Sequence, residues 1–422
     1  MAGSGWSRAR WCCWTSTDCN VAHADDVLER RGLGAVAWVA IGVSVALCLH
    51  YLVKASDAYL LDLDVYRDAA EVAWSGGDLY GLRYTDVGLP YLYPPFAILF
   101  LTPLALLSDV TAQVVWTAIT LLAVIAYALV CVENFAARRF HTATVATLTV
   151  AFTLAMEPTE SGINFGQVNI ILAMFLALDL SHRTGRIPQG VLTGIAAAVK
   201  LTPLLLVVYF LVTRRVKPAL WTLGSFLVCN AVAWVIFPKA SWIYWTGTFL
   251  ESDRVGVAYI SNQSINGMLQ RLLGDTSGAK LAWLVLAGLV TLAVMVVAHH
   301  LYRDYPHLTD GLVLATILLV SPISWTAHWI LILPLLLVAA FPDRPVPVLQ
   351  GLAGLLALAL LYGVVRPSET AQRLIEPEEQ QILFGNTFTW LTLAVGVGCV
   401  WWYWSRVGEG ERADSGEKLT PR

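Results

Sequence analysis

An all-α polytopic membrane protein is the fold class this chain predicts, on three observations. Hydrophobic residues fill 57% of its 422 positions and charged residues 14%, against roughly 45–50% and about 25% in soluble domains. Mean hydropathy is +0.64. Apolar stretches approaching the roughly 20 residues that cross a bilayer recur along the whole chain, so about 12 transmembrane helices in one domain are expected. The formal net charge is −3, and Lys and Arg occur in short clusters. A nucleic-acid partner is thereby excluded, and charge reports topology instead.

Residues 1–32 read as a cytoplasmic tail. They carry Arg8, Arg10, Asp25, Asp26, Arg30 and Arg31 but no compact apolar core with a cleavage site, so they are not a signal peptide. Cys12, Cys13 and Cys19 lack the neighbours of a zinc site. Cys48, Cys131, Cys229 and Cys399 sit in apolar segments as inert thiols. Arg30 and Arg31 precede the apolar run at 33–53, which places the N-terminus inside and the polar segment 54–92 outside. Within that first external loop Val65, Ala69, Val72 and Ala73 recur at spacings of three and four, the pattern of an amphipathic helix on the membrane surface.

Pro94-Pro95 opens an apolar segment at 94–107. Others follow at 111–132, 142–157, 168–181, 188–212, 218–237, 281–301, 311–323, 328–341, 347–365 and 383–404. Several are too short for simple spans. Arg138-Arg139, Arg183 with Arg186, Arg214-Arg215 with Lys217, Arg303 and Arg344 all fall inside if 94–107 is re-entrant and 188–212 a broken pair. The sequence leaves that parity open. In the second half His299, His300 and Arg303 read as inside, 321–328 as outside, Arg344 as inside and 376–381 as outside. Residues 33–405 thus form the membrane domain, with an even number of spans. Residues 406–422, rich in glycine and charge, read as a disordered cytoplasmic tail. No repeat of 20–50 residues recurs.

Polar side chains inside lipid are costly, so those interrupting apolar runs near helix ends carry the information. Asp62, Asp64 and Tyr66, followed by Arg67 and Asp68, stand where a base could meet a lipid-borne substrate, although a solvated loop explains them equally. Asn164 to Asn169 places amides and a glycine at a helix start, which a cap and turn also accounts for. Lys200, in Lys200-Leu201-Thr202-Pro203, lies too deep in its apolar run to snorkel and calls for a phosphate or carboxylate partner. Ser321 to Trp329 interrupts two apolar stretches. Interfacial aromatics explain Trp325 and Trp329 but not His328 beside Ser324 and Thr326. Asn262-Gln263-Ser264 adds amides suited to hydroxyl-rich ligands. No Walker loop, dinucleotide fingerprint, H-E-x-x-H or Ser/His/Asp signature occurs. Asp62 and Asp64 alone are too weak a signal for a metal.

Asp62-Leu63-Asp64-Val65-Tyr66, Tyr93-Pro94-Pro95-Phe96, Phe165-Gly166-Gln167-Val168-Asn169, Lys200-Leu201-Thr202-Pro203, Asn262-Gln263-Ser264 and Ser321 through Trp329 occur in that order. The ordered set resembles glycosyltransferase family 87 over roughly residues 30–405. In particular it is similar to actinobacterial polyprenol-phosphate-mannose-dependent α-1,2-mannosyltransferases. The resemblance implies a GT-C fold, a periplasmic active site on a multi-pass plasma-membrane protein, and inverting transfer of mannose. The acceptor it implies is a mannoside of phosphatidylinositol mannoside, lipomannan or lipoarabinomannan. Asp62 falls on the family's catalytic aspartate. Ala327-His328 departs from the paired histidines of related sequences, leaving His328 alone.

The expected assignment is then Asp62 as general base, Lys200 and His328 on the donor phosphate, and Asp64, Tyr66, Gln167, Asn169, Asn262, Gln263 and Trp325 on sugar or acceptor. No obligatory cofactor or metal is expected. The donor is the lipid substrate polyprenyl-phosphate-mannose. An arabinofuranosyltransferase using polyprenyl-phosphate-arabinose is the nearest alternative. A transporter or flippase is remoter, since the carboxylates gather in one loop and no inverted repeat is visible. An inactive scaffold is a third.

Overall fold

The computed structural model describes residues 33–140, 142–181, 185–250, 256–363 and 384–414. The expectations for the tail at 1–32, Arg183, the loop at 376–381 and the last eight residues lie outside them. In chain order the α-helices are α1 (Ala35–Ala55), α2 (Leu61–Trp74), α3 (Pro95–Ala105), α4 (Asp109–Phe135), α5 (Ala143–Ala155), α6 (Glu157–Phe165), α7 (Asn169–Leu180), α8 (Val191–Val199) and α9 (Leu205–Val212). They continue as α10 (Val216–Ile236), α11 (Pro238–Thr246), α12 (Ile265–Leu273), α13 (Ser277–Leu301), α14 (Pro306–Val320), α15 (Leu333–Ala340), α16 (Pro347–Tyr362) and α17 (Thr387–Asp414). Among the described residues the only β pairing is two isolated bridges, Tyr84 with Leu89 and Asn262 with Trp325.

Helices α1, α4, α10 and α13 are long and apolar enough to cross a membrane. Most of α1, α10 and α13 lies uncovered by protein, so their Leu, Val and Trp side chains suit a hydrocarbon solvent rather than a packed core. The shorter apolar helices gather inside, where Ala, Leu and Val side chains of α7, α8, α14 and α15 are almost fully buried.

The bundle has two chemically different ends. At one end lie α2, α3, α6, α11 and α12. The expected surface helix appears as α2, with Val65, Ala69 and Ala73 buried and Val72 half-buried. Helix α3 does not leave this end. It lies beside α2, tied by Trp74 Nε1 donating to Thr102 Oγ1 at 2.9 Å and Arg67 Nε donating to the Leu104 carbonyl at 3.2 Å. Helix α4 then runs to the opposite end, where Phe135 stacks edge-on with His307 and Ala137 N donates to the Phe341 carbonyl.

The parity that sequence left open is resolved by α8 and α9. Both ends of this pair are at the opposite end: Gly190 N donates to buried Asp179 at the end of α7, and the Val212 carbonyl meets His299 Nδ1 at the end of α13. Pro203 and the extended Lys200 break the ladder between them. Segment 188–212 is therefore a hairpin with Lys200 at its tip, and 94–107 stays on the Asp62 side. Arg138, Arg139, Arg214, Arg215, Lys217 and Arg303 consequently share the opposite end. One boundary is corrected: α17 continues to Asp414, so 406–414, read as disordered from its glycine and charge, is helical. Glu, Arg and Ala favour helix enough there to extend a helix already nucleated in the apolar run.

Candidate active site

Helical periodicity divides the acids of the first loop. Asp62 and Tyr66 stand four residues apart on one face of α2. Both line a cavity of about 520 Å³ with Tyr93, Phe165, Gln167, Tyr259 and Trp325. Asp64 is on the other face, 4.0 Å from Arg67. Arg67 is itself buried and ties α2 to the end of α3, donating to the carbonyls of Leu104 and Leu107 and to Asp109 Oδ1 at 2.8 Å. The expected sugar contact at Asp64 is thus not where the structure puts it. Its neighbours are the charges that fasten the helix.

Gly166 brings the second segment of the site into place. It ends α6 in the left-handed conformation, φ 72°, and a Cβ there would lie 2.7 Å from the Leu63 Cβ. Only glycine adopts that backbone cheaply and allows α2 so close. Trp116 Nε1 donates to the Gly166 carbonyl at 2.8 Å. With the turn fixed, Gln167 Nε2 donates to Asp62 Oδ2. Asn169, at the start of α7, donates through Nδ2 to Gln167 Oε1 at 2.7 Å, and Tyr93 OH donates to the same oxygen at 3.3 Å. Tyr66 OH donates to Tyr93 OH at 2.9 Å.

Lys200, at the tip of the α8–α9 hairpin, donates to Asn169 Oδ1 at 2.9 Å and lies 2.8 Å from His328 Nε2. An ammonium only donates, so that ring nitrogen accepts and His328 is neutral there, with its other nitrogen protonated. A second, small cavity of about 30 Å³ opens on this side. Lys200, His328, Asn169, Ser321 and Ser324 line it, together with Leu172, Leu176, Pro203 and Leu331. An anionic lobe with aromatic walls and a cationic lobe with apolar walls therefore flank one line of hydrogen bonds.

Burial pushes the Asp62 carboxyl up to about 6, against the opposing pull of the Gln167 hydrogen bond and the Lys200 charge. A carboxylate at that value is largely ionised at neutral pH yet more basic than a solvated one, the property a general base needs.

Asn262 and Gln263 are fully buried and hold backbone instead of facing a cavity. Asn262 Nδ2 donates to the Val257 carbonyl at 2.9 Å, while its Oδ1 accepts from Ser324 N at 2.8 Å. Gln263 Nε2 donates to the carbonyls of Ile260 and Gly385. Together they fix the break at 321–325 from which His328 projects. The structure sets both apart from the two cavities expected to hold sugar: the Asn262 amide and the Gln263 NH₂ group meet backbone partners, while the buried Gln263 Oε1 has no hydrogen-bond partner among the described residues. Trp325 does line the large cavity, with its ring centroid 6.3 Å from that of Tyr259.

Sequence reasoning missed Tyr93, Tyr259 and Arg83 among the residues lining that cavity. Tyr93 carried a signal, since it precedes the Pro94-Pro95 pair that starts α3. Tyr259 and Arg83 stand in polar loops with none.

The profile of glycosyltransferase family 87 matches residues 91–322. A polyprenol-phosphate-mannose-dependent α-(1-2)-phosphatidylinositol mannoside mannosyltransferase of Mycobacterium tuberculosis is 32% identical over 401 residues, 89% of this chain and 90% of the relative. A second M. tuberculosis protein, a polyprenol-phosphate-mannose-dependent α-(1-2)-phosphatidylinositol pentamannoside mannosyltransferase, is 32% identical over 319 residues, 73% of this chain and 72% of its own. The crystal structure of ArnT from Cupriavidus metallidurans bound to undecaprenyl phosphate superposes with a TM-score of 0.42 at 16% identity, over 87% of this chain and 77% of that one.

Proposed function

Because the chain belongs to glycosyltransferase family 87, we propose that it transfers mannose from polyprenyl-phosphate-mannose to a hydroxyl of a phosphatidylinositol mannoside, forming an α-1,2 linkage. The observation that carries this reading is the pairing of a buried carboxylate in a roomy cavity with a cation and an imidazole in an adjoining apolar-walled one. A glycosyl phosphate is already activated. Its displacement needs a base on the incoming hydroxyl and positive charge on the departing phosphate.

In this mechanism Asp62 takes the acceptor hydroxyl proton as that oxygen attacks the anomeric carbon. The bond from that carbon to the phosphate oxygen breaks with its electron pair, and the lipid phosphate leaves toward Lys200 and His328. Attack opposite the leaving group inverts the centre, so a β-phosphate donor gives an α-mannoside. Leu172, Leu176, Pro203 and Leu331 keep the space beside Lys200 apolar, but at about 30 Å³ it has to widen to take the donor phosphate. The aromatic residues Tyr66, Tyr93 and Trp325 and the wider cavity suit a mannoside acceptor. No metal is required by these steps, so chelation leaves the rate unchanged.

We read the molecule as a GT-C enzyme of the plasma membrane, with about 12 spans, the Asp62 end facing the periplasm and both termini cytoplasmic. Lipomannan and lipoarabinomannan chains are further acceptors of the same chemistry. Membranes carrying the wild-type protein, given each labelled lipid donor in turn, are expected to transfer mannose and not arabinose. Asp62→Asn, with unaltered expression, loses about 100-fold or more of that transfer. Arabinose transfer alone would overturn the donor, and near-normal turnover by Asp62→Asn would overturn the base.

A further inference from the structure

Gln167 and Asn169 form a directed link between the two lobes. Lys200 Nζ donates to Asn169 Oδ1, Asn169 Nδ2 donates to Gln167 Oε1, and Gln167 Nε2 donates to Asp62 Oδ2. We infer that this two-amide bridge, aligned donor to acceptor from Lys200 to Asp62, makes Gln167 and Asn169 positioning residues that hold the base at a fixed place relative to the phosphate-binding cation.

The direction of the bridge is forced by its ends. An ammonium has only donors and a carboxylate only acceptors, so Asn169 must turn its oxygen to Lys200 and Gln167 its NH₂ group to Asp62. Neither amide can flip without placing like groups together at both of its contacts. Hydrogen bonds aligned in this sense polarise one another, and those at the ends are charge-assisted. Both amides are 6% exposed, and the Tyr93 hydroxyl also donates to Gln167 Oε1. The Gln167 oxygen is thereby filled, while these contacts use one N–H of each amide.

The bridge also joins separate parts of the chain. Asp62 belongs to α2, Gln167 to the turn between α6 and α7, Asn169 to the first position of α7, and Lys200 to the α8–α9 tip. An inverting displacement needs base and leaving group on opposite sides of one carbon, and errors of an ångström in that separation are expensive. Two amides of fixed length set it directly. The inference rests on the assignment of Asp62 as base.

The test uses the full-length protein purified into lipid nanodiscs, with polyprenyl-phosphate-mannose and a phosphatidylinositol mannoside acceptor. Gln167→Leu is expected to lower kcat about 10- to 100-fold, the scale of a lost hydrogen bond to a charged group. Acceptor KM should change less than about 3-fold, since a group acting on the base alone leaves ground-state acceptor binding in place. The acid limb of kcat/KM should move to higher pH, because the Gln167 N–H favours the ionised carboxylate. A raised acceptor KM with an unmoved acid limb would make Gln167 a sugar contact and overturn the bridge. Should Gln167→Leu fail to fold, Asn169→Leu is decided by the same readouts, with the same direction expected. Active Asp62→Asn would remove the underlying base assignment, whereas inactive Asp62→Asn beside an unmoved acid limb removes the bridge alone.

Discussion

Asp62 and Asp64 are chemically identical, two residues apart, and end up in different environments because a helix turns about 200° over that interval. Asp62 enters the cavity and Asp64 joins Arg67. The ordered motifs favoured Asp62, but neither composition nor spacing separates the two acids, since both suit a water-facing helix start. The environment of Asp62 predicts a pH profile. With its carboxyl raised to about 6, the base form is lost as pH falls through that value, so kcat/KM should drop about tenfold per unit below it and be flat just above. Rates measured from pH 4.5 to 8 with acceptor below KM check this. A limb near the ordinary carboxylate value of about 4 would mean that burial does not govern this acid.

At the scale of elements, the turn between α6 and α7 has more control over the site than its single buried glycine suggests. Gly166→Ala is forced into the left-handed region, costing roughly 1–2 kcal/mol, and its methyl would also meet Leu63 Cβ at 2.7 Å. Helix α2 must then move away, taking Asp62 from Gln167. Gly76, past the end of α2, has a similar φ of 75° but nothing within 4 Å of its would-be Cβ. Gly76→Ala should lower Tm by a comparable conformational amount and leave specific activity nearly intact, while Gly166→Ala lowers Tm further and cuts kcat about 10-fold or more. Equal activity losses in the two would show that α2 placement is not what Gly166 protects. Helix periodicity made α2 and its buried face legible in the sequence. The use of Asn262 and Gln263 was not, because the groups that engage them, on Ser324 and Gly385, are 62 and 122 residues away. Lys200 was legible as a cation needing a partner, but the hairpin that lifts it was legible only as one of two readings, a broken pair at 188–212, since α8 and α9 are each too short to announce a direction.

Across the whole molecule, the resolved parity turns scattered charges into an asymmetry that can be tested. Asp62, Asp64, Asp68, Glu71 and Asp78 belong to the loop that builds one end. Arg138, Arg139, Arg214, Arg215, Lys217 and Arg303 share the other, where Arg215 Nη1 approaches Asp310 Oδ1 at 3.9 Å and Arg139 Nη2 donates to the Pro342 carbonyl. Cytoplasmic loops retain Lys and Arg during insertion, so the basic end should face inward and the Asp62 cavity outward. An inward basic end would also leave the lipid donor to be used on the side away from soluble nucleotide sugars. Variants lacking the seven cysteines and carrying either Ser75→Cys, exposed after α2, or Lys217→Cys, exposed at the start of α10, discriminate the orientations. In intact cells made permeable only at the outer envelope, a membrane-impermeant maleimide should label Ser75→Cys, and it should reach Lys217→Cys only after the plasma membrane is opened. The reverse pattern would place the base on the cytoplasmic side and exclude a periplasmic reaction, whatever the activity of the protein in detergent.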